Sequence, residues 1–255
     1  MSFTSKYSRQ APQAIRPIHH NIHARFCANY TNSEYHTLVY SSVHFEQTGK
    51  YFRNPVVTGV PVRPAFFQIS GKPYIQGSPT LLVFGGSQGA RAINQAMVRA
   101  LLALQQRMPG LQIIHQTGER DYNETRDGYA RAGVHAEVQK FIDDMPAFFA
   151  RADLILCRSG ASTVAEITAA GKPAVFVPFP LAADDHQRRN AEALEQAGAA
   201  VVLEETKLDE VWLVDTLTAL LDDRDRLARM SKAARSLSHP NAAKDIVELA
   251  ANLAA

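Results

Sequence analysis

From Thr80 onward, short apolar runs alternate with helix-forming stretches, and no other feature of this chain restricts its fold as tightly. The apolar runs are Thr80–Phe84, Gln112–His115, His135–Val138, Asp153–Cys157, Ala174–Val177 and Ala200–Leu203. Helical patterns fill the gaps at Ala90–Gln106, Asp121–Ala132, Asp144–Ala150, Thr163–Ala170 and Asp185–Ala197. They continue at Asp209–Leu221, Arg224–Leu237 and Ala242–Ala255. Strand-then-helix repetition builds parallel βαβ units, and uninterrupted apolar runs mark strands buried on both faces. The pattern predicts an α/β domain with a doubly wound parallel sheet.

The segment before that region is different. Residues 1–37 are polar, show no sustained period of 2 or 3.6, and are expected to be disordered. His19, His20 and His23 fall there, and in an unpatterned segment such a group is read as solvated rather than metal-binding. Pro55–Gly59 reads as a short strand, and Gly71–Pro79 as a linker. The expected division is 1–37 as an N-terminal segment, 38–78 as a remnant of a preceding domain with a linker, and 79–255 as the main domain.

Composition removes several functions. A net charge of +2 makes no demand for a nucleic-acid partner. No apolar run is long enough to span a bilayer, and the first residues lack the apolar core of a signal peptide. The two cysteines, Cys27 and Cys157, have no metal-type spacing, which fits a reduced, cytosolic protein. No cofactor or metal is implied.

In a doubly wound sheet, ligands bind beyond the carboxyl ends of the strands. Gly85-Gly86-Ser87-Gln88-Gly89 follows the first strand and has the composition of a phosphate cradle. It is neither a P-loop nor a full G-x-G-x-x-G, so a plain strand–helix turn fits it equally. Gln116-Thr117-Gly118 follows the second strand, and Phe141-Ile142-Asp143-Asp144-Met145 the third. After the fourth, Arg158-Ser159-Gly160 leads into Ala161–Glu166, where Thr163 and Glu166 match the capping box T-x-x-E. The same helix start offers free N–H groups to an anion. After the fifth come Gln187 and Asn190. Asp143-Asp144 and Asp184-Asp185 each precede a helix, where acids complement the dipole, and His186 reads as a local hydrogen-bonding group. Turn amides, hydroxyls, one carboxylate and carboxamides along one sheet edge suit a sugar nucleotide.

Four motifs carry a family resemblance: GGSQGARAIN at 85–94, FIDDM at 141–145, CRSGASTVAEITAAGKPAVFVPFP at 157–180 and DDHQRRNA at 184–191. Together they resemble the MurG family, the N-acetylglucosaminyltransferases that convert lipid I into lipid II in peptidoglycan synthesis. The resemblance implies the C-terminal, donor-binding half of a GT-B glycosyltransferase, with a Rossmann-like sheet. It implies that Arg63 and Ser87 contact the donor diphosphate and that the backbone of Ile142 recognises uracil. It further implies that Ala161, Ser162, Thr163, Val164, Ala165 and Glu166 surround the nucleotide, with Glu166 on the ribose hydroxyls. Gln187, with Asn190 beside it, matches the reader of the N-acetylglucosamine hydroxyls. The implied reaction is an inverting, metal-independent displacement. The implied partners are UDP-N-acetylglucosamine, lipid I and the cytoplasmic membrane surface, where the family is peripheral.

Two departures stand out. Val60 occupies a position where the family usually has Asn, in the turn that presents Arg63. Nearly all of the family's N-terminal domain, with its base and acceptor site, has no counterpart in this sequence, so the catalytic base is unassigned. The alternatives are a non-catalytic UDP-sugar-binding protein, another GT-B glycosyltransferase, or a nucleotide-sugar epimerase.

Overall fold

The structure, a computed structural model, describes residues 18–20, 23–28, 38–46, 54–70, 78–182 and 185–254. Its main element is a six-stranded parallel sheet of order β10-β9-β8-β5-β6-β7. The strands are β5 (Thr80–Phe84), β6 (Gln112–Gln116), β7 (Ala136–Gln139), β8 (Leu154–Cys157), β9 (Ala174–Phe176) and β10 (Ala200–Val202). Every residue of β5, β8 and β9 is buried, which accounts for their unbroken apolar sequences.

Alternate side chains of these strands enter two separate cores, as the two-residue period of a strand requires. Leu81, Val83, Leu154 and Leu156 pack with Ile93 and Met97 of α2 (Arg91–Arg107) and with Leu217 and Leu221 of α7 (Glu210–Asp222). Leu82, Phe84, Ile155 and Cys157 face the other way. They pack with Phe66 of α1 (Pro64–Phe67), Phe149 of α4 (Met145–Arg151), Val164 and Ile167 of α5 (Ala161–Ala170) and Leu194 of α6 (His186–Gln196). Helix α3 (Tyr122–Arg131) lies beside α2, and α8 (Arg224–Ser236) packs against both α5 and α7. The doubly wound α/β fold is therefore the one the alternation predicts, with element ends shifted by a residue or two.

A second sheet of four strands, β1 (Ile18–His20), β2 (His23–Ala28), β3 (Leu38–Val43) and β4 (Pro55–Val57), precedes it. The pairs β1–β2 and β2–β3 are antiparallel, and β3–β4 is parallel. Two of these strands fall within residues 1–37, where the sequence predicts no regular structure. Their three- and six-residue lengths give too little alternation for a period to be read.

At the joint between the sheets, the Thr58 and Gly59 amides both donate to the Val43 carbonyl, at 3.2 and 3.1 Å. Gly59 holds φ +77°, and a Cβ there would lie 2.3 Å from the Cβ of His239. His44 is buried beside it with neither ring nitrogen hydrogen-bonded. Burial, assisted by His239, holds its pKa at about 3, so the ring is neutral and packs as an aromatic edge-on to Phe45 at 4.1 Å. The last helix, α9 (Ala242–Ala254), contacts β2, with Ala242 buried and Val247 66% exposed.

Candidate donor site at the strand carboxyl ends

Strand β5 is followed in sequence by β6 on one side, and β8 lies on the other. The chain reverses its direction of travel across the sheet between β5 and β8. The carboxyl ends of those two strands are thus the switch point where a doubly wound sheet leaves a crevice.

The turn after β5 is shaped by glycines for different reasons. Gly85 has no room for a side chain, because a Cβ would sit 2.3 Å from the Ala90 amide. Gly89 holds φ +74°, and its Cβ would lie 1.9 Å from the Thr117 carbonyl oxygen. Gly118, at φ +79°, is pressed in return against the Gln88 carbonyl, 2.4 Å from a virtual Cβ. The Gly-rich turn and the β6–α3 turn therefore interlock. Gly86 differs: it holds φ +88° but faces open space, and Ser87 and Gln88 next to it are exposed. The tip of the turn is left free while its base is clamped.

Buried side chains maintain that clamp. Gln116 Nε2 donates to the Gly86 and Lys140 carbonyls, each at 3.1 Å. Asn94 Nδ2 donates to the Thr117 carbonyl and to Asp121 Oδ2, both at 2.9 Å. Asn94 Oδ1 meets His115 Nε2 at 3.0 Å, and His115 Nδ1 meets the Tyr129 hydroxyl at 3.1 Å. Burial holds the His115 pKa at about 3, so the ring stays neutral. Asn94→Ala leaves the Thr117 carbonyl and a His115 nitrogen unpaired in the interior. It is expected to lower stability by about 2–3 kcal/mol in urea unfolding.

Beyond β7 the chain passes through Phe141, 54% exposed, to Ile142, 3% exposed. Asp144 then caps α4 by accepting from the Ala147 amide, as an acid before a helix is expected to do.

The turn after β8 departs from the sequence expectation. Helix α5 begins at Ala161 with Gly160 as N-cap, and no side chain caps it. Thr163 is the third helical residue rather than the cap, so the capping box at Thr163 and Glu166 does not form. The cause is local: Gly160 takes the extended conformation that a cap requires, at φ −62° and ψ 154°, and the helix starts two residues earlier. The amides of Ala161, Ser162 and Thr163 consequently have no acceptor within the helix. Helix α2 also starts without a side-chain cap, at Ala90. Neither helix carries an acidic residue in its first turn. Two uncapped, positive helix ends thus flank the switch point.

Val164 and Ala165 are buried, and Val164 belongs to the core, so only their backbones are open to a role beyond packing. Ser162 is exposed, while Ala161, Thr163 and Glu166 are half-buried. Burial raises the Glu166 pKa to about 7, against the opposing pull of Arg63. Arg63 is exposed at the start of α1, with its guanidinium 5.3 Å from the Phe66 ring. The structure therefore brings Arg63 into electrostatic reach of Glu166 although about a hundred residues separate them in sequence.

Gln187 and Asn190 lie on the first turns of α6 and divide their work. Gln187 Oε1 accepts from the Phe179 amide at 3.0 Å. Asn190 is 2% exposed, and its Nδ2 donates to the Ser159 carbonyl at 3.1 Å. Ser159 Oγ in turn donates to the Gln187 carbonyl at 2.7 Å. Asn190 thus faces inward as a strut between α6 and the β8–α5 turn. The sequence reading places the Ser159 hydroxyl and the Gln116 carboxamide on the ligand edge and gives Arg158 no role; the structure turns all three to holding the turns together.

At the opposite, amino-terminal ends of β8 and β9 lies a groove of about 1370 Å³, lined by Asp153, Lys172, Ser231 and Arg235 among others. Its polar groups already serve the fold. Lys172 Nζ donates to the Ala152 carbonyl at 2.8 Å, Ser231 Oγ to that of Gly171 at 2.6 Å, and Arg235 to those of Ile69 and Ala170 at 2.7 and 2.8 Å. Among the described residues no group of three or more His, Cys, Asp or Glu is arranged to hold a metal ion.

Known proteins resemble this chain in family and fold. Residues 80–247 match the glycosyltransferase family 28 C-terminal domain. A UDP-N-acetylglucosamine–N-acetylmuramyl-(pentapeptide) pyrophosphoryl-undecaprenol N-acetylglucosamine transferase of Syntrophotalea carbinolica is 48% identical over 200 residues, 78% of this chain and 55% of that protein. Its namesake from Solibacter usitatus is 44% identical over 212 residues, 81% of this chain and 57% of that protein. The crystal structure of Acinetobacter baumannii MurG matches with a TM-score of 0.66 at 35% identity, over 73% of this chain and 55% of that one. The chain spans about half the length of the curated relatives it matches. The MurG resemblance carried by the four motifs is borne out by these relatives, as is the reading of the fold as the C-terminal half of a GT-B glycosyltransferase. The chain belongs to glycosyltransferase family 28, and its parallel sheet is that family's C-terminal domain.

Proposed function

We propose that this chain is the donor-binding half of an N-acetylglucosaminyltransferase, holding UDP-N-acetylglucosamine for transfer to lipid I. The observation that carries the reading is the convergence at one switch point of a clamped Gly-rich turn with a free tip, two uncapped helix starts and the half-buried Glu166. Each matches one part of a UDP-sugar. The amides at Gly86–Gln88 and the Ser87 hydroxyl take the diphosphate, with the α5 amides of Ala161–Thr163 beside them. Glu166 accepts from the two ribose hydroxyls, one at each carboxylate oxygen. The backbone at Ile142 pairs with uracil. Gln187 reads the sugar hydroxyls, and Asn190 supports it from behind.

The chemistry assigned to these residues is stabilisation of the leaving group. Negative charge develops on UDP as the anomeric carbon is displaced with inversion. The helix-start amides and Arg63 offset that charge with dipoles already in place. The base, the lipid acceptor site and the association with the cytoplasmic membrane surface belong to the same proposal and are assigned to no residue of this chain. Isothermal titration calorimetry tests the donor half. Saturable binding of both UDP and UDP-N-acetylglucosamine is expected; heats that show no saturation with either would contradict the proposal.

A further inference from the structure

Arg158 directly follows β8, and its side chain is only 11% exposed. Its Nη1 group is spent on one loop. Nη1 donates to the Val177 carbonyl at 2.9 Å and to the Pro178 carbonyl at 3.1 Å. Its guanidinium lies 5.3 Å from the centre of the Phe179 ring. Nη2 is paired with the carboxylate of Glu205, which is 23% exposed on the short 3-10 turn Glu205–Lys207 after β10. This pair is unlike Arg107–Asp215 and Arg126–Asp127, whose side chains are about half exposed. Such exposed pairs contribute little, whereas a shielded pair that also binds two carbonyls and an aromatic face fixes geometry.

The loop held in this way has one contact toward the sugar end of the site. The Phe179 amide donates to Gln187 Oε1 at 3.0 Å. An N–H is satisfied only by the oxygen of a carboxamide, so this bond decides which way round the Gln187 amide stands. The Gln187 backbone is tied independently by Ser159 Oγ. A continuous chain of contacts therefore runs from Glu205 through Arg158 and the 177–179 loop to the amide of Gln187. Arg158 makes none of its described bonds to the Gly-rich turn, to Ile142 or to Glu166.

We propose that Arg158 and Glu205 are positioning residues for sugar discrimination, fixing the 177–179 loop so that it presents the Gln187 amide in a single orientation to the sugar of a UDP-sugar. The inference rests on the donor-site reading. It separates two tasks within the site, since the uridine and diphosphate are held by elements outside this clamp.

The test compares calorimetric affinities for UDP, UDP-N-acetylglucosamine and its C4 epimer UDP-N-acetylgalactosamine. The proteins are the wild type, Glu205→Ala, Glu205→Gln and Arg158→Lys. Glu205→Ala and Arg158→Lys are expected to reduce the preference for the gluco over the galacto sugar at least fivefold, while UDP affinity stays within twofold. Glu205→Gln keeps the volume and one acceptor and is expected to retain part of the preference; it is also the variant to read if Glu205→Ala does not fold. An unchanged preference with intact UDP binding overturns the clamp, as does a parallel fall for UDP and both sugars, which marks a merely structural role. Absence of UDP binding in the wild type removes the donor-site reading itself, a result distinct from either.

Discussion

Glu166→Gln is expected to make the fold more stable at pH 8 while weakening its hold on a UDP-sugar. The carboxyl is half-buried, and burial raises its pKa from 4.5 to about 7, with Arg63 opposing. Below pH 4.5 the group is protonated whether the chain is folded or unfolded, and it has no differential effect. Between 4.5 and 7 the folded state binds more protons than the unfolded state, so stability falls as pH rises through that window. Above 7 the folded protein carries the full penalty of a desolvated charge, on the order of 3 kcal/mol for a shift of this size. Glutamine is never charged and escapes the penalty. Urea unfolding at pH 5 and pH 8 should show a gap between variant and wild type that opens with pH. A gap that is the same at both would contradict the burial account.

Binding is expected to move in the opposite sense. Two ribose hydroxyls need two acceptors, and the carboxamide supplies one oxygen and a misplaced donor. The loss is expected to be about 1–3 kcal/mol, or roughly 5- to 150-fold in Kd. Wild-type affinity should also decline as pH falls from 8 to 6 and the carboxylate is neutralised, whereas that of the variant should stay level. A destabilising charge kept at the point where a ligand needs it is the sort of local conflict that marks a functional position.

The second large effect concerns the Gly-rich turn. Gly89→Ala is expected to destabilise the domain by about 3–5 kcal/mol. A left-handed conformation costs a residue with a Cβ about 1–2 kcal/mol, and the remainder comes from separating two backbones. The added methyl would sit 1.9 Å from the Thr117 carbonyl, which also receives the Asn94 amide. No side-chain motion relieves a contact between backbones. Gly133→Ala is the control, because Gly133 holds φ +65° with nothing within reach of its Cβ. It is expected to cost only about 1–2 kcal/mol. Equal costs for the two variants would show that the Gly89 and Gly118 turns do not interlock.

The sheet was legible because its central strands are short, continuous and apolar, and because each is followed by a helical period. That signal comes from burial on both faces, which the residues themselves record. The positions of Ser87, Ile142, Glu166 and Gln187 on one edge followed from the rule for doubly wound sheets. Four features were not legible. The start of α5 was misplaced at Thr163 because T-x-x-E is a strong local signal, while Gly160, which occupies the N-cap position, has no side chain to announce itself. The family resemblance sets Asn190 beside Gln187, but helical geometry turns it inward onto Ser159. Arg158 drew no role from its local sequence, because its partners Val177, Pro178 and Glu205 are set by tertiary packing some twenty to fifty residues away. The strands β1 and β2 escaped detection because pairing in register, rather than composition, defines them.

The central claim is that the carboxyl edge at β5 and β8 is where a UDP-sugar binds. Backbone amide chemical shifts of the isotopically labelled chain, followed during titration with UDP-N-acetylglucosamine, test it most directly. The predicted result is saturable shifts at Gly86–Gln88, Ile142, Ala161–Glu166 and Gln187, with Lys172, Ser231 and Arg235 in the basal groove unmoved. Shifts confined to that groove, or none at saturating ligand, would contradict it.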